Sequence, residues 1–290
     1  MGILLGLLTA LSWGSSDFLA RFATRRVGTL RTMLYMQAFG FLLLTFFLYE
    51  LDGWGHLFDG SGWQPWAWGL LAGCVNAFAT LALYRSFEIG KMSVVAPVSA
   101  SYPVLTVLLS LLTGEQLTLA RAAGIGLTLA GVILVAGGEK NSDEENAEAK
   151  QKSTKGIGWA LCAALGFGVL FWLLGIRIVA RTGPFATVWM IRMFGTFVSL
   201  VILLAKRLPM QRPSGKAGWQ LAGIGILDTG AFVLNNRGMQ LEQVAVVSVL
   251  ASLYGAVTVA LAAIFLKEHI SRWQWAGIAS IFAGIALISR

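Results

Sequence analysis

Histidine and cysteine are almost missing from this chain, with two of each among 290 residues. His56 and His269 fall in loops between apolar runs, and Cys74 and Cys162 each lie inside such a run. No pair has the spacing of metal ligands, which disfavours zinc and haem sites and leaves the cysteines as small buried residues. Charge is scarce as well: Asp, Glu, Lys and Arg make up 12% of the chain, against about a quarter in soluble domains. The chain contains no HExxH motif, no Walker sequence and no serine with a nearby His–Asp set. An intramembrane hydrolase or transferase and an ATP-driven pump are thereby disfavoured, and no cofactor or metal is implied.

What the chain has instead is apolar residues, 57% of the total. They come in runs of roughly twenty, the length a bilayer core asks of a helix. Ten spans are expected, near 3–22, 31–49, 65–85, 93–112, 118–137, 156–177, 184–204, 217–236, 243–266 and 273–289. The runs do not alternate as barrel strands do, and a helix satisfies its own amides in lipid, so the expected fold is an all-α integral membrane bundle. The opening Met1-Gly-Ile-Leu-Leu has no basic start and reads as part of the first span, not as a signal peptide. The net charge of +8 is then a matter of loops that fix orientation, not of nucleic-acid binding. Sixteen of the 22 Lys and Arg residues fall in the loops after spans 1, 3, 5, 7 and 9. The positive-inside rule puts those loops in the cytoplasm and both termini outside.

One long stretch has no apolar residue larger than alanine, the linker at 138–155, where nine residues are charged and their signs nearly cancel. On either side the sequence repeats itself. Gly156 to Gly168 echoes Gly2 to Gly14, Gly40 meets Gly195, Val94-Val95 meets Val246-Val247, and Tyr102-Pro103 meets Tyr254-Gly255. Glu115 precedes Gly124 and Gly131 by the same intervals at which Glu268 precedes Gly277 and Gly284, with Thr118 and Ser271 placed as helix N-caps. Five spans per half is an odd number, so the two halves enter the membrane from opposite sides. Inverted repeats of this kind are the architecture of secondary transporters, with the substrate site at the repeat interface. A channel or scramblase is the competing reading, but a carbonyl filter is normally built around a symmetric pore.

With five plus five helices, the Leu83-Tyr-Arg-Ser-Phe-Glu-Ile-Gly90 to Pro97 stretch, Tyr102-Pro103, and Glu115 with its two glycines, the chain resembles an EamA-type permease of the drug/metabolite transporter superfamily. The resemblance covers both halves, 1–137 and 156–290. It implies a ten-helix basket around a central cavity lined mainly by spans 1, 3, 4, 6, 8 and 9. It further implies alternating-access transport of small organic metabolites, such as amino acids or related solutes, across the cell's inner membrane. Export is the expected direction, by uniport or by coupling to protons or another solute. The expected partners are that solute and the lipid bilayer, with the protein a monomer or a homodimer.

Candidate site residues come from polar and aromatic positions inside spans. Arg192 and Asp228 are charges near the centres of spans 7 and 8, where insertion costs about 2.5–3.5 kcal/mol each. They form either a substrate or proton site or a fixed pair locking two helices. Their expected counterparts in the first half are Gln37 and, near Asp228, Phe78. Asp17 is a second proton-coupling candidate, or an i, i+4 partner of Arg21. Trp13 and Ser16 beside it, Asn76, Thr80 and Tyr84 on span 3, and Asn235 on span 8 are able to face a cavity or to glue helices. On span 4, Pro97 and Pro103 free two carbonyls, and Ser99 and Tyr102 are candidates to line the resulting hinge. Tyr254 repeats Tyr102, and Trp172 is an interior tryptophan open to stacking. Glu115 and Glu268 read as caps of the following helix, paired with Arg121 or Arg272. Replacing Glu139–Lys155 by a Gly/Ser tether of equal length is expected to leave solute transport unchanged, and loss of transport in vesicles would give the linker a role it lacks here.

Overall fold

The structure is a computed structural model that describes residues 1–51, 54, 57–60, 62–112, 118–137, 155–210, 213, 215–241, 247, 250–268 and 270–288. Glu115, His56, His269, Val246 and the linker up to residue 154 lie outside the described residues. Among the described residues there is no strand. The helices are α1 (Gly2–Val27), α2 (Thr29–Leu51), α3 (Gln64–Ile89), α4 (Met92–Ser99), α5 (Pro103–Leu112) and α6 (Leu119–Gly137) in the first half. The second half has α7 (Ile157–Thr182), α8 (Pro184–Ala205), α9 (Lys216–Leu241), α10 (Tyr254–Phe265) and α11 (Arg272–Ile288). Six of them, α1, α2, α3, α7, α8 and α9, are long and apolar enough to cross a membrane. Large apolar side chains such as Leu4, Leu11, Leu42, Phe46, Phe78, Phe197 and Leu204 stand exposed on the outside. Water would penalise such a surface, and lipid does not. Cys74 is on that surface too, not buried as its apolar surroundings implied.

Local signals explain where the helices start and stop. Pro65, Pro103 and Pro184 sit in first turns, where an amide has no helical partner to lose. The Thr118 hydroxyl accepts the Arg121 amide at 3.2 Å, and Ser271 and Gln274 exchange side-chain and backbone bonds at 2.9 and 3.2 Å. Those are the caps the sequence spacing asked for. Gly28 and Gly183 occupy the same place in the two halves and turn the chain with φ of 88° and 78°, a region open to glycine. Span 4 is not one helix. It breaks at Ala100–Tyr102 between α4 and α5, and Ser99 and Ser101 donate their hydroxyls to the Ala96 and Val98 carbonyls there. A matching interruption at Leu253 precedes α10, where the following residue is Tyr254 and no proline is present.

The duplication is written into the packing. α1 packs on α9 and α7 on α3; α2 packs on α9 and α8 on α3; α2 crosses α8, α4 meets α10 and α6 meets α11. Each contact has its partner under exchange of the halves. The Thr258 hydroxyl donates to the Gly14 carbonyl at 3.3 Å, and Thr106 donates to Gly168 at 3.1 Å. The nearest approach is between α6 and α11. A Cβ on Gly131 would stand 2.6 Å from the Gly277 carbonyl oxygen, and one on Gly284 would stand 2.6 Å from that of Gly124. The four glycines of the two matching motifs therefore face each other crosswise. Gly131→Val is expected to lower the thermal unfolding midpoint in detergent, by the about 1–3 kcal/mol that overpacking costs. Gly126→Val on the same helix, where nothing lies within 4 Å, is expected to leave it unchanged.

Candidate functional site

At the centre of the bundle a cavity of about 30 Å³ is lined by Trp13 and Asp17 of α1, Thr80, Leu83 and Tyr84 of α3, Tyr102, Phe167 and Phe171 of α7, Asp228 and Phe232 of α9, and Tyr254 of α10. That is room for about one water. The wall is mostly rings. Trp13 meets Phe232, Phe171 and Tyr254 at centroid distances of 5.1, 5.6 and 6.1 Å, and Tyr102 meets Phe171 at 4.8 Å. Edge-on and tilted contacts of this kind hold aromatic side chains in fixed orientations.

Two carboxylates enter this aromatic box, and they are answered differently. The Arg192 guanidinium donates to Asp228 Oδ2 at 2.5 Å and to Gln37 Oε1 at 2.9 Å, and it lies 4.9 Å over the Phe232 ring. Trp13 shares the cavity wall with Asp228. Asp17 has no cationic partner and no hydrogen bond among the described residues, though only 5% of it is exposed. The i, i+4 pair with Arg21 does not form. Arg21 instead donates to the Gly90 carbonyl at 2.9 Å and pairs with Glu268 at 2.9 Å. Glu268 in turn accepts the Ser93 and Met92 amides at 2.9 and 3.4 Å. It caps α4 in the opposite half, not the helix that follows it. A carboxylate serves whichever helix N-terminus the fold brings near, and sequence distance does not reveal which.

Arg192 has no exposed surface and stands behind Asp228, outside the cavity wall. It reaches the α2–α8 crossing because that crossing is lined with glycine. A Cβ on Gly40 would lie 3.1 Å from Arg192 Cδ, and one on Gly195 would lie 2.7 Å from Gln37 Nε2. Arg192 thus packs over Gly40, and its counterpart Gln37 packs over Gly195. The counterpart of Asp228 is Asn76 and not Phe78. Gly73 abuts Phe194 as Gly225 abuts Phe39, which fixes the register of α3 against α9. Phe78 accordingly points outward while Asn76 is fully buried.

The structure gathers Trp13, Asp17, Thr80, Tyr84, Tyr102, Asp228 and Tyr254 in the cavity wall. Ser99 stands just behind and accepts the Tyr254 hydroxyl at 3.3 Å. Ser16 faces α9 and donates to the Ile224 carbonyl at 3.4 Å. Asn76 is one turn from Thr80, its amide unpartnered. Asn235 faces Met239, and Trp172 lies away from the cavity. Leu83, Phe167, Phe171 and Phe232 were not anticipated. Phe167 and Phe171 hold the positions in α7 that Trp13 and Asp17 hold in α1, so the repeat alone pointed to them. Arg192→Met is expected to lower the unfolding midpoint by the equivalent of about 3–5 kcal/mol, because it strands a buried carboxylate. Adding Asp228→Leu is expected to restore most of the loss, whereas two independent losses in the double variant would show that the residues do not act as a pair.

Comparison with known proteins follows the same division. The model of the EamA-like transporter family matches residues 1–137 and again 154–290. An uncharacterized protein of Methanocaldococcus jannaschii is 28% identical over 134 residues, which are 46% of this chain and 94% of that protein. A crystal structure of another protein superposes with a TM-score of 0.67 over 99% of this chain and 95% of its own, at 19% identity, a likeness of fold alone. With two family matches that cover nearly all of its length, the chain belongs to the EamA-like transporter family.

Proposed function

We propose that this membrane transporter carries small organic solutes bearing a protonated amine, amino acids and related metabolites among them, in exchange for protons. The reading rests on Asp17, a carboxylate set without a partner into a wall of rings. A buried carboxylate is costly unless something cancels its charge. A proton does so, and so does an ammonium group, which the Trp13, Phe171 and Tyr254 rings would also attract through their faces. The two compete for one group, and competition of that kind couples opposite fluxes. Arg192, committed to Asp228 and Gln37, keeps the second carboxylate balanced and is not offered to a solute anion. The carboxylate of an amino acid would meet hydroxyls instead, those of Thr80 and Tyr84.

In this reading ten spans form two inverted five-helix repeats, 1–137 and 156–290, joined by a cytoplasmic linker at 138–155. Both termini lie outside the inner membrane, and the solute is exported. The charge distribution between loops supports that orientation. Alternating access moves one repeat against the other around the shared cavity.

Reconstituted in vesicles, the protein is expected to catalyse saturable uptake of a labelled amine driven by an outward proton gradient. Asp17→Asn is expected to reduce that uptake by about 10- to 100-fold, the worth of a charge-assisted hydrogen bond. Undiminished, gradient-driven uptake by Asp17→Asn would remove Asp17 from the mechanism, and a non-saturating ionic current would replace the transporter reading with a channel.

A further inference from the structure

A second recess lies across α3 from the aromatic cavity. It measures about 490 Å³ and is lined by Val27–Arg31, Leu81, Arg85, Glu88, Trp159, Ile202, Lys206 and Leu208. These positions belong to the start of α2, the last turns of α3, the first turn of α7 and the end of α8. α3 packs on both α7 and α8, while α7 and α8 pack on each other mainly beside the Gly183 turn. The two helices diverge from that turn, and the cleft opens between their far ends.

The cleft has a charged rim and an apolar depth. Three cations, Arg31, Arg85 and Lys206, line it with one carboxylate, Glu88. Glu88 is already answered twice, by Arg85 at 2.8 Å and by the Thr29 hydroxyl at 2.6 Å. Arg31 donates to the Val27 and Pro209 carbonyls at 3.1 and 3.0 Å, which fixes its guanidinium without neutralising it. Lys206 is exposed and makes no ion pair among the described residues. Among the described lining residues the excess is two positive charges, and the Arg31–Pro209 bond brings Arg31 close to the chain end of α8 that carries Lys206. One helical turn below Lys206 is Ile202, and one turn below Arg85 is Leu81. The partly exposed Leu30 and the exposed Trp159 complete an apolar slot that runs from the rim toward the middle of the bundle.

We infer that this cleft binds an anionic phospholipid, with its phosphate between Arg31 and Lys206 and an acyl chain along Leu81 and Ile202. The rim sits where helices leave the hydrocarbon, the level of lipid phosphates. A free phosphate would use the cations and leave the slot unused, and a zwitterionic lipid would fill the slot but waste the charge. Only an acidic lipid satisfies both, and the leaflet on the Lys- and Arg-rich side of a membrane is the one that supplies it. The lipid would also bear on the cavity, since α3 presents Leu81 and Arg85 to the cleft and Thr80 and Tyr84, in the same two turns, to the solute site.

The test uses the purified full chain in detergent and three probes: phosphatidylglycerol, phosphatidylcholine and inorganic phosphate. Phosphatidylglycerol is expected to stay bound in native mass spectra and to raise the unfolding midpoint, with the other two giving neither effect. Arg31→Gln combined with Lys206→Gln is expected to weaken phosphatidylglycerol binding by about 10- to 30-fold, at roughly one rim charge per tenfold or less. Ile202→Trp, which fills the slot and keeps both charges, is expected to weaken it as well and serves if the double variant does not fold. Equal binding of phosphatidylcholine, an equal shift with inorganic phosphate, or unchanged affinity in the variants would each overturn the assignment.

Discussion

A guanidinium with no exposed surface sits where α2 crosses α8, and much of the bundle is arranged around answering its charge. In hydrocarbon an unanswered charge is not tolerated. Asp228 therefore comes from α9, Gln37 from α2 and the Phe232 ring from above. These partners fix three helices against one another. They also require that the crossing be lean, which Gly40 and Gly195 supply by leaving space for long side chains to pass. Asp228 is held at the cavity edge by that same pair. What reaches the cavity is thus a carboxylate of fixed position and balanced charge, beside a second carboxylate that has no balance of its own.

The two halves share a scaffold and differ in chemistry. Threonine-to-glycine bonds, turn glycines and the crosswise glycines of α6 and α11 recur almost atom for atom. The cavity does not recur in this way. Trp13 is matched by Phe167, Asp17 by Phe171, Asp228 by Asn76 and Arg192 by Gln37. Tyr102 and Tyr254 alone keep the same side chain on both sides. Packing positions stay duplicated because both halves need the same crossings. The cavity positions are under no such demand, since each lines one shared space from its own side. One relative, of which 94% is covered, matches 46% of this chain, the length of a single repeat.

Much of this was legible in the sequence, for physical reasons that also mark where legibility ends. Apolar runs of bilayer length announce helices directly, and polar residues stranded inside them, such as Asp17, Thr80 and Asp228, announce a site because lipid penalises them. Phenylalanine carries no such mark. Phe78 and Phe197 face outward while Phe167, Phe171 and Phe232 line the cavity, and composition cannot tell them apart. Trp172 was the natural choice on span 6, yet the helix turns about 100° per residue and it is Phe171 that points inward. Sequence similarity between α3 and α9 is too weak to set their register, and it is the contacts of Gly73 and Gly225 that place Asn76, two residues before Phe78, opposite Asp228. The partners of Glu268 were out of reach altogether, since Arg21 and Ser93 are remote in sequence.

The clamp that Glu268 makes with Arg21 and the α4 amides has a lopsided consequence. The place of Arg21 in the second half falls in a π-helical turn, Leu174–Ile178, where the repeat offset grows by one residue between Phe167 and Gly183, so that Gly175 or Ile176 stands there and no arginine. A perfectly duplicated transporter would spend equal time open to either side, since its two conformations would be images of each other. Here, among the described residues, an ion pair across the halves fastens one end of the bundle and no matching pair stands at the other. In an alternating-access cycle that asymmetry would make the two conformations unequal in free energy, with the one closed at the Arg21 end as the resting posture.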